Sequence, residues 1–150
     1  MKKILGSILF ILAASANANA NANECELTIE SNDMMQFSTK SLTAPKSCKE
    51  VTVTLKHTGK LPKNAMGHNW VLSKQADIPD IASDGMGAGL DKNYLKEGDS
   101  RVLAATKIIG GGEQTSVAFA SNLLKEGENY AFFCSYPGHY AIMQGTFTLI

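Results

Sequence analysis

Val51, Val53 and Leu55 alternate with Thr52, Thr54 and Lys56. A period of two sends successive side chains to opposite faces of an extended chain, so one face is apolar and the other polar. The same period recurs where Thr115, Val117 and Phe119 alternate with Ser116, Ala118 and Ala120. Tyr130, Phe132 and Cys134 share a face further on, and residues 146–149 close the chain in the same manner. Leu27 and Ile29 mark a first strand, Met35 and Phe37 a second, and residues 68–72 and 102–109 supply two more. Thr58-Gly59, Gly110-Gly111-Gly112, Glu126-Gly127 and Pro137-Gly138 punctuate these runs with turn chemistry. Short strands so spaced predict an all-β sandwich or barrel. His57 continues the first alternation and is therefore expected to face inward.

One stretch breaks the period. Over residues 74–100, Asp77, Ile78, Ile81, Ala82 and Met86 fit a turn or two of amphipathic helix. A short helical insertion between strands is expected there.

The N-terminus reads as a targeting segment. Met1-Lys2-Lys3 is a basic start, residues 4–14 are largely apolar, and Ala20-Asn21-Ala22 fits a small-x-small cleavage pattern. The apolar run falls short of the ~20 residues that span a bilayer. Cys25 follows Asn23-Glu24, unlike a lipoprotein cysteine, so no membrane anchor is expected. Residues 1–22 are thus assigned to a cleaved signal peptide and residues 23–150 to the mature domain, exported to the periplasm. Losing Lys2 and Lys3 takes the balance from 14 basic and 14 acidic residues to 12 against 14, a net of −2. So little positive charge argues against a nucleic-acid partner.

Three cysteines divide into a pair and a single. Cys25 and Cys48 lie far from any histidine in sequence, and in an oxidising compartment a disulfide is the simplest reading. A redox-active pair would favour close Cys-x-x-Cys spacing. Cys134 instead opens a Cys-x4-His-x3-Met series with His139 and Met143. A strand end, a Pro-Gly turn and this spacing let all three side chains point to one spot, and His68, beside Gly67 and Trp70, can supply a further ligand. A soft thiolate suits Cu(I), imidazole suits both oxidation states, and a thioether is a weak ligand for copper but a poor one for zinc. Two histidines, one cysteine and a methionine describe a blue-copper electron-transfer site.

At these residues the chain resembles the azurin family of blue-copper cupredoxins. Leu61-Pro62-Lys63-Asn64-Ala65-Met66-Gly67-His68-Asn69-Trp70-Val71-Leu72 is similar to that family's first ligand region. Asp84-Gly85-Met86, Gly89-Leu90-Asp91-Lys92 and Tyr94-Leu95-Lys96 resemble its helical insertion, and Phe132-Phe133-Cys134 with Pro137-Gly138-His139 its ligand loop. The resemblance implies an eight-stranded Greek-key β-sandwich with a helical flap, and one type 1 copper ion. It implies His68, Cys134 and His139 as equatorial ligands, Met143 as axial ligand, and the Gly67 carbonyl opposite. It also implies the Cys25–Cys48 disulfide, an Asn69 that ties the ligand segments together, and a buried Trp70. His57 matches the family's buried histidine near the metal, where a structural role and a pH-sensing role are equally open. Tyr136 and Tyr140 depart from the best-known members, which carry Phe and a small residue there.

The function so implied is one-electron transport through Cu(II)/Cu(I) cycling, by a monomer that is not an enzyme. The expected partners are redox proteins such as c-type cytochromes, copper nitrite reductase or cytochrome c peroxidase. They would dock on an uncharged face around His139 made of Met35, Leu61, Ala65, Met66, Met86, Tyr136, Pro137, Gly138 and Ala141. Two other classes compete. A Cys134–His139 nucleophilic enzyme would want an orienting group and an oxyanion hole, for which the sequence has no signal. A copper chaperone or store would want an exposed Met- or Cys-rich release segment.

Overall fold

The computed structural model describes residues 22–150, with side chains from residue 24. The export signal expected over residues 1–22 lies outside them but for Ala22. Among the described residues, no helix is long and apolar enough to cross a membrane.

The alternating runs form strands β1 (Glu26–Asn32), β4 (Glu50–His57) and β7 (Gln114–Ala120). With β2 (Gln36–Phe37) they make one sheet in the order β2-β1-β4-β7. The second sheet has the order β3-β9-β8-β5-β6, built from β3 (Ser41–Ala44), β5 (Val71–Lys74), β6 (Ala104–Ala105), β8 (Tyr130–Phe133) and β9 (Gln144–Leu149). β1 runs parallel to β4 and β3 parallel to β9, while the other pairings are antiparallel. The two sheets face each other as a β-sandwich.

The strand expected at Met35 and Phe37 is the short β2, and β3, which the sequence reading did not foresee, follows after residues 38–40 and joins the other sheet. Side-chain hydrogen bonds hold the corner between them. The Ser38 hydroxyl accepts the Glu30 amide N–H (3.0 Å) and Thr39 Oγ1 accepts that of Ser41 (3.2 Å), so side chains take ladder donors at the corner. Residues 102–109 also fall short of a continuous strand. Only Ala104–Ala105 pairs with β5, and Ile109 forms an isolated bridge with His68. His68 therefore stands outside the regular strand, on the approach to β5.

Val51, Val53, Leu55 and His57 all point into the sandwich, as their alternation requires. Trp70 is fully buried, its indole stacked near Phe119 and Phe132 (6.1 and 6.0 Å between centroids) and met edge-on by Phe147. Its Nε1 has no hydrogen-bond partner among the described residues, so apolar and aromatic packing offsets that desolvation.

The helical insertion is α2 (Ile78–Gly85), which follows the four-residue α1 (Lys63–Met66) in the chain. Ile78, Ile81, Ala82 and Gly85 are its buried stripe, spaced to fall on one helical face. Ile78 and Ile81 pack on Val71, Ala131 and Phe133, on the outer side of the second sheet. Gly85 lets α2 approach the Tyr94 carbonyl, which any Cβ there would strike. Cys25 and Cys48 are disulfide-bonded, with Cα atoms 5.7 Å apart. The bond staples the start of β1 to the turn before β4.

Candidate metal centre

The centre forms where two segments meet at one end of the sandwich. Cys134 follows directly on β8 and is fully buried. Its amide N–H donates to the Met143 carbonyl (3.0 Å), which closes the loop into β9. Inside that loop the His139 amide donates to the Tyr136 carbonyl (2.9 Å), with Gly138 at φ 82° making the left-handed turn. The Ile142 and Met143 amides both donate to the His139 carbonyl (3.1 and 2.8 Å). These turns bring the His139 ring back to Cys134 and pair the Met143 backbone with it.

His68 arrives from the other segment. Its backbone exchanges two hydrogen bonds with Ile109 (3.0 and 2.9 Å). Its Nε2–H donates to the Asn32 carbonyl (2.8 Å), which leaves the Nδ1 lone pair for a metal. Cys134 Sγ lies 3.8 Å from His68 Nδ1 and 3.6 Å from His139 Nδ1. The three donor atoms lie within 4.8 Å of one another. Met143 is buried in the same cluster as Cys134.

Burial tunes these groups for metal. Desolvation lowers the His68 pKa to about 4, partly opposed by the Asn32 carbonyl, and also lowers that of His139. Both imidazoles are therefore neutral and able to donate at neutral pH. Burial pushes the Cys134 thiol up to about 12, with the Asn69 and Tyr136 backbone pulling it partly back. Without a metal the sulfur keeps its proton, so metal binding must release that proton.

Gly67, just before His68, has φ −72° and ψ 146°, a conformation open to any residue. Its requirement is space: a Cβ would collide with the Lys63 carbonyl and with Ile108. Asn69 bridges the two ligand segments, as the resemblance implies. Its Oδ1 accepts the Ser135 amide N–H (2.9 Å) and its Nδ2 donates to Ser135 Oγ (2.8 Å). The Ser135 hydroxyl in turn donates to the Asn93 carbonyl (2.7 Å).

His57 stacks on His68, with centroids 4.6 Å apart. Gly59 N–H donates to its Nδ1 (3.0 Å), and its Nε2–H donates to the Met66 carbonyl (2.8 Å). Both ring nitrogens are thus hydrogen-bonded, and Nε2 also lies 3.9 Å from the Asp33 carboxylate.

Sequence reasoning missed Asp33, Asn93 and the bonding of Ser135. The Asp33 carboxylate accepts the Lys60 and Leu61 amides (2.7 and 3.3 Å), which hold its pKa below the usual carboxylate value. It thereby locks the turn leading to the His68 segment. Its place in the polar Asn32-Asp33 turn is the only sequence signal for it.

Two neutral imidazoles and a thiol that ionises only on metalation, in an apolar pocket beside a thioether, fit copper and define a cupredoxin-type centre. Residues 23–150 match the copper binding proteins of the plastocyanin/azurin family. The chain is 62% identical over 126 residues to the azurin of Pseudomonas fluorescens biotype A, covering 84% of this chain and 98% of that one. It is 60% identical over 126 residues to the azurin of Pseudomonas aeruginosa strain PAO1, covering 84% and 85%. Among solved structures, the azurin Az-iso2 of the obligate methylotroph Methylomonas sp. strain J superposes with a TM-score of 0.82 at 52% identity, covering 84% of this chain and 98% of that one. The chain belongs to the plastocyanin/azurin family, within the azurins, and is a blue-copper electron carrier with one copper ion as its cofactor.

Proposed function

We propose that His68, Cys134 and His139 would hold the copper ion, with the Met143 thioether and the Gly67 carbonyl as weaker donors. The convergence of the three buried donors within 4.8 Å carries this reading. Copper bound there supplies a Cu(II)/Cu(I) couple, and everything else is done by the chain. The Asn32 carbonyl fixes the His68 tautomer, the Asn69–Ser135 bonds hold the two ligand segments at constant separation, and the apolar surroundings exclude water. A ligand set so held need move little on electron transfer, which keeps the barrier low.

The mature chain, residues 23–150, works in the periplasm once the signal peptide is removed, and is a monomeric carrier rather than an enzyme. Ligand burial supports carriage over a chaperone or storage role: His68, Cys134 and Met143 have no solvent exposure to hand a metal on. His139, 4% exposed, is the ligand nearest the surface. Pro137, Gly138, Ala141, Leu61, Ala65 and Met86 are exposed, while Met35, Met66 and Tyr136 are half-buried. Their apolar character suits brief docking with c-type cytochromes, copper nitrite reductase or cytochrome c peroxidase.

The test is the visible spectrum of the copper-loaded protein. An intense blue thiolate-to-copper charge-transfer band is expected, and Cys134→Ser should lose it while circular dichroism still reports the sandwich. A variant that kept the band would remove Cys134 from the ligand set.

A further inference from the structure

The segment that carries His68 is joined to the ligand loop at two levels. The inner joint is the buried Asn69–Ser135 pair. The outer joint is Tyr136. Its hydroxyl donates to the carbonyl of Asn64 (2.8 Å), inside α1. Its ring lies on the His139 imidazole, with centroids 4.6 Å apart and planes 29° from parallel. Tyr94 makes an edge-to-face contact with that ring, at 5.3 Å and 71°. The Tyr136 carbonyl also accepts the His139 amide (2.9 Å).

His68 and His139 are oriented by different means. His68 is keyed by the hydrogen bond from its Nε2 to Asn32 and is wholly buried. His139 follows the exposed Pro137-Gly138 turn, and its ring is stacked on the Tyr136 face, with the His68 ring tilted at 5.0 Å and Cys134 Sγ 3.6 Å from its Nδ1. A phenyl ring could stack there as well. Only the hydroxyl tethers the stacked ring across to α1, so that loop and α1 must separate before the ring can swing away.

We propose that Tyr136 is a positioning residue for the copper site: its hydroxyl clasp to Asn64 holds its ring, and the ring holds the His139 imidazole in the orientation that retains the metal. This rests on His139 being a copper ligand. A neutral hydrogen bond of this kind shifts an opening equilibrium by about 2- to 12-fold. The clasp therefore acts on the rate at which copper escapes past His139 more than on whether it binds.

The experiment compares copper-loaded wild type with Tyr136→Phe, Tyr136→Ala and His139→Ala. It reads the rate of Cu(I) transfer to an excess of a competing chelator, the charge-transfer band and the copper hyperfine splitting, and the thermal midpoint of each metal-free protein. Tyr136→Phe is expected to keep the band and release copper about 2- to 12-fold faster. Tyr136→Ala should release it faster still with an altered hyperfine splitting, so that the phenyl ring alone gives partial rescue. Wild-type release from Tyr136→Phe would overturn the clasp. So would release that rose only in proportion to global unfolding of the metal-free variant, since that is a structural role. If Tyr136→Ala fails to fold, Tyr136→Phe decides. His139→Ala separates the two readings: retention of the wild-type band there would remove His139 as a ligand. Loss of the band with unchanged Tyr136 variants would overturn the positioning role alone.

Discussion

Asn69→Ala removes the inner joint between the ligand segments, and its cost follows from the bonds. The wild-type carboxamide accepts the buried Ser135 amide (2.9 Å) and donates to Ser135 Oγ (2.8 Å) and, more weakly, to the Asn93 carbonyl (3.5 Å). Truncation leaves the Ser135 N–H buried without a partner, about 1–3 kcal/mol, while the Ser135 hydroxyl keeps its bond to Asn93. The lost Nδ2 bonds add about 1 kcal/mol. The expected destabilisation is thus about 2–4 kcal/mol, a fall in thermal midpoint of about 10 °C for a domain of this size. Ser135→Ala should cost less, because Asn69 Oδ1 still receives the backbone amide. The double variant should cost less than the two single losses combined, since both remove the same pair. Denaturant unfolding of the metal-free proteins measures all three. A loss under about 1 kcal/mol for Asn69→Ala, or strict additivity in the double variant, would refute the assignment of this joint to Asn69.

Met143→Leu should keep the blue band and raise the reduction potential, because a thioether donor is replaced by an apolar group beside Cys134; voltammetry of the two proteins checks it. Ala141→Lys places a charge on the exposed face beside His139 and should slow electron transfer to a cytochrome c with little change in the copper spectrum, read by stopped flow. Asp99 accepts hydrogen bonds from Arg101 (2.8 and 2.6 Å), which hold its carboxyl below the usual value. Its stabilising contribution is therefore present above the ordinary carboxylate range and lost as pH falls through the depressed value. Asp99→Asn should flatten the acid limb of the stability–pH curve, measured by thermal unfolding, and an unchanged limb would locate that dependence elsewhere.

Much of this arrangement is local and could be read in the chain. The alternation of Val51, Val53 and Leu55 named the inward face of β4 and carried His57 with it, because a strand must reverse side-chain direction at each residue. The return of His139 to Cys134 was legible for a similar reason: a short loop after a strand has few ways to return. Residues 38–40 show the limit. Nothing in Phe37-Ser38-Thr39-Lys40 says that the chain will change sheets, since the corner depends on Glu30 meeting Ser38 from a neighbouring strand.

The chain supplies the proposed donors, the imidazoles of His68 and His139, the Cys134 thiol and the Met143 thioether, in a β framework able to bring them together. The tertiary structure decides how they face. The Asn32 carbonyl selects Nδ1 of His68 from 36 positions away, Asn69 finds Ser135 across 66, and Tyr136 reaches Asn64 across 72. Each of these bonds joins groups whose separation is set by sheet packing, and a hydrogen bond tolerates only a few tenths of an ångström. Ligand identity is a property of single residues and survives in sequence. Ligand orientation is a property of pairs brought together by folding, and appears only once the two sheets have closed.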